Sequence, residues 1–299
     1  MARTDFTEAN GYILEEQGSA VIQDLIANSA VERFARRETM ASRTKTVPRF
    51  VTDAPQVVAE GGTIPEASAT LDEIVLTSRK YAQIMHVSEE DLNDNLVDVL
   101  TASKREWASR WARKFDNACL GVTAVGDGDD GQPFNSLYYS VTQYNSASNK
   151  IATAGALTFE DISNALGLVE SSSKFDAANT VFMAHPKMLA HIRAMVGANN
   201  EYVLPNPLDA TPGSLLGYPL VVSYGAATSA AATDAPAGNP LLIVGNRQML
   251  INGVRGGVES VVSRDAEFTK DGVLLKTRIR RGFAVADASA FAIVEKTSA

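Results

Sequence analysis

The sequence predicts an α+β fold in which one domain is discontinuous and an α/β unit is inserted into it. Three observations carry that prediction. A run of alternating apolar residues flanks a glycine- and proline-bearing turn early in the chain, and a long amphipathic helix pattern follows it. Strands then return at the end, after about 120 residues in which helix and strand patterns alternate.

The bulk properties set limits. At 299 residues the chain accommodates one large domain or two modest ones, each with a core. Hydrophobic content of 45% with 21% charged residues is a globular composition rather than that of a disordered chain. No apolar run is long enough to cross a bilayer, and the opening MARTDFTEANGYILEEQ is acidic and lacks a signal-peptide core. The one cysteine, Cys119, excludes an intramolecular disulfide and suits a reducing cytoplasm. A formal net charge of −8 argues against gripping DNA through a broad basic face.

Taken in order, residues 1–17 read as an extended polar arm, and Gly18–Asn28 as a short helix with Val21, Ile22, Leu25 and Ile26 on one face. Val31–Arg37 and Thr39–Lys45 read as strands leading into a long two-stranded hairpin. One arm of that hairpin is Thr46–Val51 with Gln56–Ala59. The other carries Leu71, Ile74, Leu76, Tyr81, Ile84, Met85 and Val87, and Gly61-Gly62-Thr63-Ile64-Pro65 forms the tip. Ser88-Glu89-Glu90-Asp91 then fits a helix cap. A ribbon of two strands is not stable alone in water, so it must lie on a surface, and the reading adopted here is that it lies on another copy of the chain.

Charge points the same way. No lysine or arginine occurs between Arg49 and Arg79, whereas Asp53, Glu60, Glu66, Asp72 and Glu73 are acidic. Such a block is either a solvated acidic loop or a docking element for a basic surface. On the second reading Glu60, Glu66, Asp72 and Glu73 meet Arg278, Arg280 and Arg281, or the basic face of the following helix, in a neighbouring subunit. Each rim pair contributes only ~0.2–1 kcal/mol, so the gain is register and specificity.

Asn95–Val122 is the longest helical pattern. Leu96, Val99, Leu100, Trp107, Trp111, Phe115, Ala118, Cys119 and Val122 make one apolar stripe. Such a helix is roughly 40 Å long and serves as a spine. Gly126-Asp127-Gly128-Asp129-Asp130-Gly131 ends it. The twelfth position from Asp127 is Tyr138, not the glutamate of an EF-hand, so a flexible acidic loop is the better reading. A helix from Thr158 to Glu170, a strand Thr180–Ala184 and a helix from Pro186 to about Val196 follow. After the proline-rich loop Leu204–Pro212, Gly213–Ser223 and Leu241–Gly245 read as buried strands separated by a surface loop, Ala226–Asn239. The tail is strand-rich, with Asn252-Gly253 and Asp271-Gly272 as hairpin-turn signals. The domain division is therefore 1–25 as an arm, 26–125 with 246–299 as one domain, and 126–245 as the insertion. The extended loop takes about 42–87 and the spine about 95–122.

No constellation of residues calls for catalysis. His86 alternates along a strand. His185 and His191 are six apart, the wrong spacing for a helical zinc pair. Neither a nucleophile elbow nor a Walker lysine is present, and Gly253-Val254-Arg255-Gly256-Gly257 reads as a turn. The expectation is no enzyme activity, no cofactor, no metal and no catalytic residues.

Four segments carry a family resemblance. They are Glu60–Pro65 with Arg79-Lys80-Tyr81-Ala82 and Val87–Leu92; Met183–Pro186 with Gly213–Ser223; Arg255–Glu259; and Ser263–Phe268 with Asp271-Gly272-Val273. In this order around a spine helix, they resemble the major capsid proteins of tailed double-stranded-DNA phages with the Hong Kong 97-type fold. The resemblance implies an N-terminal arm, an extended loop, a peripheral domain on the spine helix and an axial domain. It implies assembly with itself into pentamers and hexamers, forming an icosahedral shell around DNA without sequence-specific binding. It implies a virion protein, assembled in the bacterial host cytoplasm with a portal and in some cases cement proteins. Some relatives begin with a long helical scaffolding segment, whereas Met1 here stands only about 17 residues before the first helix pattern, so a separate scaffolding protein is expected.

Some relatives cross-link a lysine of the extended loop to a neighbour. With no lysine between Arg49 and Arg79 that chemistry does not carry over, and a non-covalent shell is expected. An encapsulin-type compartment enclosing cargo enzymes is the alternative, and an enzyme on the α/β unit ranks third.

Overall fold

The computed structural model describes residues 29–52, 57–64, 66, 69–88, 99–129, 131–195, 213–229, 235–267 and 271–297. The arm and short helix expected before Ser29, the cap at Glu89–Asp91, the first turn of the spine pattern and the proline-rich loop Leu204–Pro212 lie outside these residues.

The first described element is a helix, not the strand expected at Val31–Arg37. Ser29 caps α1 (Ala30–Phe34) by accepting the Glu32 amide at 3.1 Å, and the acceptor that sets the helix direction comes from far along the chain. That acceptor is the Asp116 carboxylate, which takes hydrogen bonds from Ser29 Oγ at 2.6 Å and the Ala30 amide at 2.8 Å. Strand β1 (Arg36–Thr39) follows, then the hairpin of β2 (Thr44–Thr52) and β3 (Ala69–Thr77), paired from Thr44↔Thr77 to Thr52↔Ala69.

The long alternating arm predicted through Val87 is split at Ser78, whose amide donates to the Arg43 carbonyl at 2.8 Å. Beyond it β4 (Arg79–Ser88) leaves the hairpin for a larger sheet. Alternation continues unbroken across the split because both halves are β, so the pattern alone does not reveal the change of partner.

Helix α2 (Val99–Leu120) is the spine, about 33 Å long at 1.5 Å per residue. It leads to a helix absent from the sequence reading, α3 (Leu137–Gln143), capped by Ser136 and burying Leu137, Tyr138 and Val141. Then come β5 (Lys150–Thr153), α4 (Phe159–Glu170) with a Thr158/Asp161 capping box, β6 (Thr180–Ala184) and α5 (Pro186–Arg193). The chain continues through β7 (Ser214–Leu215), β8 (Tyr218–Val222), β9 (Leu241–Asn246), β10 (Leu250–Val254), β11 (Glu259–Glu267), β12 (Gly272–Val285) and β13 (Phe291–Lys296).

Two sheets result. In the first, β12 carries β4 on one edge and β11 and then β10 on the other, and β1 pairs in parallel with β10. The second has the order β5-β13-β9-β6-β8-β7. Its central strands are buried on both faces, as alternate residues show. Val181, Met183, Leu241, Ile243 and Ile293 join the core formed with α2 and α3, while Phe182, Ala184, Leu242, Val244 and Val294 pack with α4 and α5. The spine serves both sheets: Trp111 and Phe115 stack at 4.9 Å and meet Tyr81 of β4 edge-on, while Ala118, Cys119 and Leu120 belong to the same core as the second sheet.

Further differences from the sequence reading have local causes. Residues 291–296, assigned with the first sheet, instead form the second strand of the α/β sheet, between β5 and β9. Asn252-Gly253 is not a turn. Both residues lie inside β10, and the glycine leaves room for Met40, since a Cβ there would sit 2.5 Å from Met40 Sδ and displace that side chain. Gly213–Ser223 is not one buried strand but a tight hairpin about Leu216 and Gly217, both at positive φ, on a half-exposed edge. Ala226 and Ala227, expected on a surface loop, are buried against Gly121 at the end of the spine. Their carbonyl neighbourhood is fixed by Asn117, whose side-chain amide donates to the Gly225 and Ala227 carbonyls at 3.2 and 3.0 Å.

Candidate assembly surfaces

The hairpin projects its tip into solvent. Residues 57–64 and Glu66 are all exposed, and the tip carries bare apolar side chains, with Val57 and Ile64 103% and 80% exposed. The turn at Glu60-Gly61 is closed by the Gly62 amide donating to the Ala59 carbonyl at 2.8 Å, with Gly61 at φ +76°, where a side chain would be strained. Glu60 and Glu66 are therefore presented outward beside Val57 and Ile64, and Glu73 is exposed farther down, on β3 opposite Pro48.

The base of the hairpin has a surface of its own to lie on. Leu76, Val47 and Ile74 pack with Met40, Ile251, Ala284 and Ala286. Arg49 donates to the Ala286 carbonyl at 2.8 Å, lies 3.5 Å from Asp287, and holds Asp72 with its other terminal nitrogen. Asp72, proposed as a contact to a neighbour, is thus already paired within its own chain, because it stands directly beside Arg49 across the hairpin.

The arginines divide by strand parity. Along β12, Leu275, Thr277, Ile279 and Arg281 face the spine and are buried, whereas Lys276, Arg278 and Arg280 take the opposite face. Arg281 is no inter-subunit residue. Its side chain is 3% exposed, ion-paired with the fully buried Glu32, donates to the Gly256 carbonyl at 3.1 Å and lies 6.0 Å from the Trp111 ring centroid. Arg278 pairs with Glu259 across the strand on a half-exposed surface.

Cross-strand register adds residues that the sequence reading missed. Lys80 stands opposite Arg280, and the exposed Ile84 opposite Lys276, so Lys80, Lys276, Arg278 and Arg280 form a basic stripe with an apolar flank. The signal was present as the every-second-residue spacing of positions 276, 278 and 280.

The Glu295 cluster is satisfied within the chain. Glu295 accepts from Tyr138 at 2.7 Å and Asn239 at 2.8 Å and pairs with Lys150 at 2.7 Å, tying α3 and β5 to β13. Burial pushes the Cys119 thiol pKa well up, and the charges of Asp116 and Glu32 push it further. Among the described residues, no group of three or more His, Cys, Asp or Glu is placed to hold a metal, and no helix is long and apolar enough to cross a membrane.

Comparison with known proteins gives consistent results. The model of the Phage capsid family matches residues 10–296. A curated relative, the probable major capsid protein gp17 of Mycobacterium phage D29, is 26% identical over 124 residues, which is 41% of this chain and 39% of the relative's length. Among solved structures, a chain from Microbacterium phage Oxtober96 has a TM-score of 0.70 at 20% identity, covering 91% of both chains. The capsid of the native GTA particle has a TM-score of 0.69 at 20% identity, covering 90% of both.

Proposed function

The chain belongs to the phage capsid family and has the Hong Kong 97-type capsid fold, and from that premise we propose that it is a major capsid protein. It self-assembles as pentamers and hexamers into an icosahedral shell enclosing phage double-stranded DNA, as a structural rather than a catalytic protein. The one observation that carries the assembly mechanism is the presence of two complementary surfaces at different places on one chain. These are an exposed hairpin bearing Glu60 and Glu66 at its tip and Glu73 towards its base, and the basic stripe of Lys80, Lys276, Arg278 and Arg280. Complementary patches that do not coincide generate head-to-tail contacts, and these close into rings when the rotation permits. Val57 and Ile64 add apolar area at the tip, while the charge pairs set register more than affinity.

In this scheme the shell is non-covalent, a separate scaffolding protein directs curvature, a portal occupies one vertex, and cement proteins reinforce the lattice. Assembly takes place in the host cytoplasm. Electron microscopy of the purified protein, with and without a scaffolding protein, tests the reading: uniform shells or hexameric and pentameric rings are expected. Charge reversal of Glu60, Glu66 and Glu73 to lysine should abolish particles while leaving the thermal midpoint unchanged. Normal particles from that triple variant would remove the hairpin from the mechanism, and a monomer under all conditions would remove the shell.

A further inference from the structure

Asparagine followed by glycine is the pair from which an open chain most readily loses a side-chain amide, because glycine has no Cβ to hinder attack by its own nitrogen. Two such pairs occur in the chain, Asn10-Gly11 and Asn252-Gly253. The second lies inside β10 where that strand is paired on both sides. Asn252 stands opposite Arg37 of β1 and Phe283 of β12, and Gly253 opposite Glu38 and Gly282. Ring closure needs the side-chain carbon and the following nitrogen on the same side of the Cα–C bond, and an extended strand holds them apart. Asn252 is also 0% exposed, out of reach of bulk water. Neither of its amide atoms has a hydrogen-bond partner among the described residues, so the strand, and not a bond to the side chain, keeps the group unreactive.

We propose that Asn252-Gly253 is a modification site, closed in the folded chain and open in the unfolded one, whose deamidation makes prolonged unfolding irreversible. In the unfolded chain the Gly253 nitrogen gives its proton to water and attacks Asn252 Cγ. The new C–N bond closes a succinimide as the bond from Cγ to its amide nitrogen breaks, and ammonia leaves with a proton. Water then opens the ring at either carbonyl, leaving aspartate or isoaspartate, and no oxidant or enzyme is needed. Neither product suits the site. The arginines that register brings near on this face, Arg37 and Arg281, are both engaged by Glu32, so an aspartate buries a carboxylate whose nearest cations already hold one. Isoaspartate adds a backbone carbon and shifts the residues beyond it out of register with β1 and β12. Chemical change of the unfolded chain then competes with refolding. The inference concerns the chain alone and does not rest on how it assembles.

The test incubates the full-length chain at mildly alkaline pH with and without guanidinium chloride, and follows the peptides holding Asn10 and Asn252 by mass spectrometry. In denaturant the two pairs should react at similar rates, which calibrates the open chain. Without it Asn252 should react at least tenfold more slowly than in denaturant, and equal rates at Asn252 in the two conditions would overturn the closed state. On dilution from denaturant, the refolded fraction should carry unmodified Asn252 and the modified chains should stay unfolded or aggregate. Modified chains that regain the wild-type unfolding midpoint would overturn the irreversibility. Asn252→Asp is expected to fail in the same way from the start. Asn252→Leu, similar in size and without charge, should fold and keep its refolding yield after the same incubation in denaturant. A yield that falls as fast in Asn252→Leu as in the wild type would place the damage elsewhere and remove the proposal.

Discussion

Arg281 and Glu32 lie 249 positions apart in the chain and form an ion pair with side chains 3% and 0% exposed. The pair welds α1 to the middle of β12, beneath the first turn of chain after Ser29. Glu32 also receives Arg37 at 3.0 Å, so both of its oxygens are engaged. Truncation of Arg281 leaves one oxygen of the buried Glu32 without its partner, with only the half-exposed Arg37 remaining. Arg281→Ala is therefore expected to destabilise the chain by about 3–5 kcal/mol, read as a lowered urea midpoint. Arg281→Met combined with Glu32→Leu should recover most of that loss, since both charges then leave together.

Asp116 organises a second junction. Its carboxylate accepts from Ser29, the Ala30 and Val31 amides, and Ser223 at 2.7 Å, joining the chain's entry to the loop after β8. Asp116→Ala strands four buried donors and should cost about 3 kcal/mol. Burial raises this carboxyl above its ordinary 3.8, and the hydrogen bonds from Ser29, Ser223, Ala30 and Val31 only partly oppose it. The folded state then holds a proton that the unfolded state has lost, so the group's contribution declines as pH rises from 3.8 through the folded value. Unfolding midpoints of the wild type and of Asp116→Asn across that window should differ in slope, the variant being flatter.

His185 works in the opposite direction. Its Nδ1 accepts the Lys187 amide at 3.2 Å and so caps α5, a role that requires the neutral ring. Burial, with the nearby Lys187 charge, lowers its pKa to about 4. The unfolded chain takes up the proton first as pH falls below 6.5, so the stability contributed above that pH is lost on acidification towards 4. Asparagine caps helices without titrating, so His185→Asn should flatten the dependence of the melting temperature between pH 7 and 4. An NMR titration of the wild-type ring locates the midpoint directly.

Gly253 supports the approach of Met40 to the first sheet. A Cβ there meets Met40 Sδ at 2.5 Å, a contact that must give way. Gly253→Ala is expected to lower stability by about 1–3 kcal/mol, and Gly253→Val by more. Pairing Gly253→Ala with Met40→Ala should return part of it, which a denaturation series will show.

Much of this architecture is legible in residue patterns, and the limits have physical reasons. The spine stripe from Trp107 to Val122 and the alternation of helix and strand from Thr158 to Leu241 are local periodicities, so the sequence displays them. Partner choice is not local. Nothing in the run from Leu71 to Val87 marks Ser78 as the point where one strand partner is exchanged for another, because the bond that fixes it comes from Arg43. The same is true of Asn252-Gly253, whose turn-like composition is overridden by the space that Met40 occupies. Arg278, Arg280 and Arg281 are neighbours in sequence, yet strand parity sends Arg281 inward to Glu32 and leaves the other two outside. Lys80 joins them only through its register with Arg280.

The position of β13 makes the second sheet depend on one distant strand. A strand drawn from residues 291–296 fills the gap between β5 and β9, which are separated in sequence from it by 138 and 45 residues or more by the numbering of their ends. Without residues 291–296, β5 has no neighbour in the sheet and Leu242 and Val244 lack part of their cover. A chain lacking residues 291–296 thus lacks the finished α/β face, and their removal is expected to leave β5 and β9 exposed to wrong partners rather than folded into one sheet.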